Sequence, residues 1–281
     1  MILYFTPGGR LGNQLFQYAF LSGLAQPAEI CITTRMEQLL EVIHPALRIW
    51  NIPAGVLYRL IDRLLLPFVI RPMSRCGIFS VVSEDGQGEL RRRAGVLSSV
   101  TLVEGYFQRQ AFVPPGFRSK LKIRAAYLER AKNVLSLLPA RAPKVCVHVR
   151  RTDYRDFSVL GVTDPSLPLS YYTQLLDRFR SLMRGPHFLF LSDDPDWVEQ
   201  TFSFVRERYV SRDEAGVDFA LMALCDGAIM SNSSLSWWGA FLMKPGSPRF
   251  CPRFWLGWKS GTWHPRGIEP SFAVSVEVTG S

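Results

Sequence analysis

The sequence predicts an α/β fold in which parallel strands alternate with crossover helices, divided into two domains over residues 1–140 and 141–281. Three observations carry that expectation. Residues 1–6 read as a buried strand followed by a glycine-rich turn and a helix. The second half alternates short apolar runs with helical ones. Between the halves, Pro139, Ala140, Arg141, Ala142, Pro143 and Lys144 read as a linker.

The opening turn covers residues 7–12. Asn13 then stands where a short polar side chain can cap a helix over 14–24. Residues 30–60 mix short apolar runs with Pro45 and Pro53 and give no clear element. Residues 83–93 are polar and basic and read as a loop or exposed helix. Residues 100–107, rich in β-branched and aromatic side chains, read as a strand, and 127–138 as a helix. The second half gives strand 145–149, helix 170–182 capped by Ser170, strand 187–191, helix 218–225, strand 227–230 and helix 234–243. Such alternation implies a parallel sheet, and ligands of open parallel sheets sit beyond the carboxyl ends of the strands. The polar residues after Val149, Leu191 and Met230 fall at those ends.

The chain has 281 residues, 47% of them hydrophobic and 20% charged, which marks a folded protein rather than a disordered one. A formal charge of +9 suits a negatively charged partner: nucleic acid, an anionic membrane or a phosphorylated substrate. The excess is dispersed except for Arg91, Arg92 and Arg93. A basic RNA-binding or membrane-peripheral scaffold protein is thus the alternative class, although no RNP, KH or zinc motif appears. Five widely spaced cysteines form no Cys-x-x-Cys pair, which speaks against a zinc site and for a reducing compartment. The first residues lack a charged leader, and no run approaches the ~20 apolar residues of a membrane span. A cytoplasmic location is expected. Residues 57–73 are the longest apolar stretch, interrupted by Arg59, Asp62, Arg63 and Arg71. They read as an amphipathic helix packed on the core; the alternative is a basic helix resting on an anionic leaflet. Asn232, Ser233 and Ser234 match a glycosylation sequon, which has no use without secretion.

Four segments carry chemistry. Gly8, Gly9, Arg10, Leu11, Gly12, Asn13 and Gln14 combine close backbone approach with a helix N-terminus that favours an anion; the same residues also suit an ordinary tight turn. His148, Val149, Arg150, Arg151, Thr152, Asp153 and Tyr154 send two arginines off a strand end. Their planar forks pair with phosphate oxygens and stay charged at any working pH. The competing reading pairs them with Asp153 or Asp156. Ser231, Asn232, Ser233, Ser234, Leu235, Ser236, Trp237 and Trp238 place small hydroxyls and successive amides at a helix start, which can cradle phosphate or simply cap. Ser192, Asp193 and Asp194 offer paired carboxylates to a metal or sugar hydroxyl, or a turn and helix cap. Trp255, Trp258 and Trp263 could form an acceptor platform or pack the domain.

Together these segments resemble glycosyltransferase family 11, the α-1,2-fucosyltransferases. The resemblance runs in order through residues 9–19, Gly105, Tyr106, Phe107 and Gln108, residues 148–154, Ser192 to Asp194, and residues 232–242. Leu235 stands where the family more often has phenylalanine. The resemblance implies a GT-B-type α/β fold: two Rossmann-like domains facing an interdomain cleft, with the N-terminal domain on the acceptor side. It implies GDP-β-L-fucose as donor, inversion at the anomeric carbon, a galactose-containing acceptor, and no cofactor or required metal. A lipid-linked unit of a bacterial surface polysaccharide, as in O-antigen biosynthesis, is the acceptor it suggests, with peripheral contact at the inner membrane. Arg150 and Asp153 would be the catalytic pair, Arg150 holding the diphosphate. Gly9, Gly12, Asn13, Gln14, His148, Arg151, Asp193, Asn232, Ser233, Ser234, Ser236 and Trp238 would line the donor site. Asp153, Asp156 and Glu104 are the candidates for the base. The arginine segment also resembles α-1,6-fucosyltransferases, which leaves that linkage as an alternative.

Overall fold

The structure is a computed structural model and describes residues 1–4 and 8–280. The chain forms two compact units, residues 1–122 and 123–281.

The first unit is built on a six-stranded sheet. In chain order its elements include β1 (Ile2–Tyr4), α1 (Leu11–Leu24), β2 (Ile30–Thr34), β3 (Arg48–Ile52), β4 (Phe79–Glu84), β5 (Leu90–Arg93) and β6 (Leu97–Glu104). The sheet order is β3-β2-β1-β6-β4-β5, parallel throughout except for the antiparallel edge pair β4 and β5. Residues 83–93, read from sequence as a loop or exposed helix, therefore belong to a hairpin. Of the expected opening strand 1–6, Ile2–Tyr4 form β1; Phe5 and Thr6, with Pro7 of the expected turn, lie outside the described residues.

Helix α1 begins earlier than expected. Arg10, not Asn13, is its N-cap, and the Leu11 amide is taken by Gln38 Oε1 at 2.8 Å. Asn13 lies inside the first turn. The 57–73 stretch is helical, as α-helical Val56–Leu60, π-helical Ile61–Ile70 and α-helical Arg71–Arg75. It does not bury its apolar side chains: Ile61 and Leu66 are buried, whereas Leu57, Leu60, Leu64, Leu65, Phe68 and Val69 are exposed. The expected core-packed helix is thus corrected to one with an open apolar ridge.

The second unit contains α2 (Ala125–Ser136), β7 (Lys144–Val149), α3 (Leu169–Leu182), β8 (His187–Ser192), α4 (Pro195–Thr201), β9 (Arg208–Val210), α5 (Ala215–Leu224), β10 (Gly227–Ile229), α6 (Ser234–Leu242), β11 (Arg249–Pro252) and β12 (Val274–Val276). All six strands are parallel, in the order β9-β8-β7-β10-β11-β12. The central strand β7 is buried along its whole length. Val145, Val147, Phe188 and Phe190 pack there against Tyr171, Leu175 and Phe179 of α3. Each such side chain contributes about 1.5–3 kcal/mol on burial, so the strand ends that carry the polar residues are held on a stiff base.

The units divide between Lys122 and Ile123, ahead of the proline-rich stretch at 139–144. Helix α2 packs on α5, and Arg130 donates to Asp213 at 3.0 Å. The stretch itself is fastened down by Lys144, whose Nζ donates to the carbonyls of Pro139 and Ala142. Ser170 does not cap α3, which starts at Leu169 behind Pro168; its hydroxyl donates to the Thr279 carbonyl instead.

Candidate active site

The second unit gathers a cluster of charged residues at the carboxyl ends of β7 and β8. Arg150 leaves β7 and meets Asp153 through two contacts, Nε to Oδ1 at 2.8 Å and a terminal nitrogen to Oδ2 at 2.5 Å. Asp193, at the end of β8, approaches the same Nε at 3.2 Å. Burial works against the guanidinium charge, but Asp153 and Asp193 outweigh it and raise the Arg150 pKa. Asp193 also accepts from Thr152 Oγ1 at 2.6 Å and from the Arg151 amide at 3.0 Å. Burial pushes its pKa up, yet the Thr152 hydroxyl, the Arg150 charge and the Arg151 amide prevail and hold it below the usual carboxylate range. Two carboxylates thus fix one arginine fork in place before any ligand arrives.

Arg151 points elsewhere. Its guanidinium lies 4.3 Å from the centre of the Trp197 ring, and its Nε is 3.4 Å from Asp194. Asp194 is the N-cap of α4 and accepts from the Trp197 amide at 3.3 Å. The Asp193 and Asp194 pair is therefore spent on arginines, Thr152 and a helix cap. Among the described residues, no three His, Cys, Asp or Glu side chains gather as a metal-binding group.

His148, two residues before Arg150 in the chain and within β7, is buried, with Nδ1 2.7 Å from Ser231 Oγ. Burial, reinforced by the Arg150 charge, lowers its pKa to about 3, so the ring is neutral at physiological pH. From β10 the chain enters α6. Ser233 caps that helix through Leu235 N, and Ser236 Oγ donates to the Ser231 and Ser233 carbonyls. Tyr154 donates to the Asn232 carbonyl at 2.9 Å, which ties the arginine loop to the start of α6. Asn232 is buried; its Nδ2 donates to the Pro165 carbonyl at 2.7 Å, while its Oδ1 has no partner among the described residues. This burial also closes the sequon to modification. Trp237 and Trp238 are buried in the core and hold α6 rather than line an opening. A cleft of about 320 Å³ opens beside the arginines, lined by Arg150, Arg151, Ser166, Trp197, Trp258 and Lys259. Trp255 is buried, so of the C-terminal tryptophans Trp258 is the one in this wall.

The glycine segment forms a second cluster, within the first unit. Gly9 has φ +108°, and a Cβ there would fall 2.5 Å from Asn13 Nδ2. Asn13 Oδ1 accepts from Gln108 Nε2 at 2.6 Å, joining two of the motifs. Gln14 is buried and fully engaged, donating to the Gly9 carbonyl and accepting from the Leu39 amide. Gly12 is buried within α1. The Gly105 turn is gripped from below by Glu84, whose Oε2 accepts from the Tyr106 and Phe107 amides at 2.8 and 2.6 Å. Of the base candidates, Asp153 is engaged with Arg150, Glu104 is paired with Arg71 at 3.0 Å, and Asp156 is exposed.

Sequence reasoning missed several residues. Tyr154 enters only as the last residue of the arginine segment, and Trp197 is given no role. Asp218 enters only as the first residue of an expected helix. It accepts from Ser211 Oγ at 2.6 Å beyond the end of β9, and burial raises its pKa to about 7. An acid inside the apolar run of α5 was the available signal.

The model of a known family, described as Glycosyl transferase family 11, matches residues 97–254. That is more than half of the chain and takes in the arginine loop, the Asp193 turn and α6. The chain belongs to glycosyl transferase family 11. Its family relatives include the Escherichia coli α-1,2-colitosyltransferase, 25% identical over 83% of this chain and 85% of that protein. The human galactoside α-(1,2)-fucosyltransferase 1 is 27% identical over 84% of this chain and 64% of its own length. The Escherichia coli O-antigen biosynthesis glycosyltransferase WbnK is 31% identical over 100 residues, 34% of this chain and 33% of that protein. The match thus spans a third of WbnK and just under two thirds of the human relative. Among solved structures, a family 9 glycosyl transferase from Veillonella parvula superposes with a TM-score of 0.57 at 15% identity, covering 100% of this chain and 88% of that one. The fucosyltransferase NodZ from Bradyrhizobium gives 0.52 at 11%, covering 86% and 92%. These likenesses show this family 11 member to have the GT-B-type α/β fold that the resemblance implies, with a largely parallel sheet in each unit.

Proposed function

We propose that the protein transfers L-fucose from GDP-β-L-fucose to the 2-hydroxyl of a galactose-containing acceptor, with inversion and without a required metal or cofactor. The observation that carries this reading is the Arg150 fork, held by Asp153 and Asp193 at the end of the central strand. A leaving diphosphate gains negative charge as the glycosidic bond breaks, and a pre-aligned guanidinium stabilises that charge without reorganising. The acceptor oxygen attacks the anomeric carbon, the bond to the β-phosphate oxygen breaks, and the hydroxyl proton passes to a carboxylate. Asp153 already gives both oxygens to Arg150 and serves to orient it. Asp156, with no hydrogen-bond partner among the described residues, takes the role of base in this reading. Neutral His148 is too weak a base for that step and acts by holding Ser231 and the start of α6. The amides of residues 232–236 and the cleft beside Arg151 supply the remaining donor contacts.

The α-1,2-colitosyltransferase relative, matched over most of both chains, supports a second reading in which the donor carries colitose in place of fucose. A lipid-linked surface-polysaccharide unit is the acceptor proposed here, in line with the O-antigen relative. The test incubates the protein with EDTA, fucosyl or colitosyl donor and a panel of β-galactosyl acceptors, and determines product linkage. An α-1,2-linked fucoside formed in EDTA is expected. An α-1,6 product would shift the assignment to that linkage, and specific stabilisation by RNA rather than GDP would overturn it.

A further inference from the structure

We infer that the helical segment 56–75 of the first unit is a docking surface for an anionic lipid bilayer. Apolar side chains stand in solvent along it at helical spacing: Val56, Leu60, Leu64 and Phe68, with Leu57, Leu65 and Val69 beside them. Phe68 is 73% and Val56 77% exposed. A folded protein rarely leaves so many large apolar groups together in water without something to cover them. The patch continues onto the junction between β5 and β6. The Val96 and Leu97 amides donate to the Gly77 and Ile78 carbonyls, both at 2.8 Å, and both side chains are exposed. Arg93 donates to the Ser74 and Arg75 carbonyls, which fastens the β5 edge to the helix end.

Charge decides what covers this surface. Exposed Arg59, Arg63, Arg75 and Arg92 have no carboxylate partner among the described residues, and Arg91 and Arg93 lie on the same edge. Asp62 is the one acid of the helical segment; Glu104 is paired with Arg71 and Asp85 with Arg91. A second copy docking symmetrically would set arginines against arginines. An anionic leaflet instead neutralises them while the apolar ridge enters the acyl boundary, the arrangement of an interfacial helix. No helix among the described residues is long and apolar enough to cross a membrane, so the contact is peripheral.

The proposal does not depend on the transfer reaction, and it can be tested on the full, unmutated chain. Cys76, at the helix end, is exposed while the other four cysteines are buried, so an environment-sensitive dye can be placed there. Vesicles of phosphatidylcholine with phosphatidylglycerol are expected to shift its emission to the blue, with quenching by brominated acyl chains and weakening by salt. Phosphatidylcholine alone should bind less. Phe68→Ser should weaken partitioning by about tenfold, and Arg59→Gln with Arg63→Gln should remove most of the preference for anionic vesicles. Turnover of a water-soluble acceptor should be unchanged in these variants. Absence of a dye response, equal binding by Phe68→Ser, or a dimer that Phe68→Ser dissolves while vesicles go unbound would each overturn the proposal.

Discussion

The two motif clusters are built from different materials. The second unit's cluster is ionic: Arg150 lies between Asp153 and Asp193 and Arg151 over Trp197, with His148 buried in β7 and Asp218 buried beyond the end of β9. The first unit's cluster is made of amides and carbonyls: Gly9, Asn13, Gln14 and Gln108 hold one another by neutral hydrogen bonds, with Glu84 supporting the turn beneath. The difference separates fixed charge from fixed shape. Fixed charges stabilise developing charge, whereas neutral amides hold a backbone conformation. The ionic cluster should therefore respond to pH and to charge removal, and the amide cluster to steric change.

The largest effect expected is at Asp218. Its folded pKa of about 7 lies above the ordinary carboxylate value, so its contribution is fully present below that ordinary value and is lost as pH rises through 7. Asp218→Asn should stabilise the protein by up to roughly 4 kcal/mol at pH 8, the gain opening between about pH 4 and 7 in urea titrations. Arg150→Ala comes next, with turnover reduced by roughly 3–4 kcal/mol of transition-state stabilisation in steady-state assays. Gly9→Ala probes the amide cluster. Its positive φ and the 2.5 Å approach to Asn13 should lower stability by about 1–3 kcal/mol, with the same loss at pH 5 and pH 8. The smallest is Tyr154→Phe, which removes the hydroxyl bond to the Asn232 carbonyl and should cost about 1 kcal/mol in unfolding experiments.

His148 sharpens the comparison from the acid side. Its folded pKa of about 3 lies below the ordinary value, so its contribution is present above pH 6.5 and fades as pH falls towards 3. Between about pH 4 and 6.5 it opposes Asp218 in sign. Replacing His148 with Asn should flatten the acid limb of the stability profile and leave the alkaline limb to Asp218.

Much of the second unit was legible because its signals are local. Apolar runs of strand length, polar residues at their ends and a cap residue before an apolar helix are all read within a few positions. The α6 start at Ser234 is read in this way, and of the two serines able to cap it the structure uses Ser233. Long-range satisfaction was not legible. Gln38, 27 residues away, takes the first amide of α1 and makes an Asn13 cap unnecessary. Glu84 holds the Tyr106 and Phe107 amides from 22 and 23 residues away. The 56–75 helix was misread for another reason. Periodicity tells that a helix has an apolar face, but not that the protein leaves this face uncovered.

The role proposed for Arg150 is to stabilise the leaving diphosphate. Its most direct test is fucosyl transfer from GDP-fucose to a soluble β-galactoside in EDTA, by the native chain and by Arg150→Ala. Transfer by the native chain is expected, with a fall in kcat of about a hundredfold or more in the variant. Near-normal turnover by Arg150→Ala would contradict it.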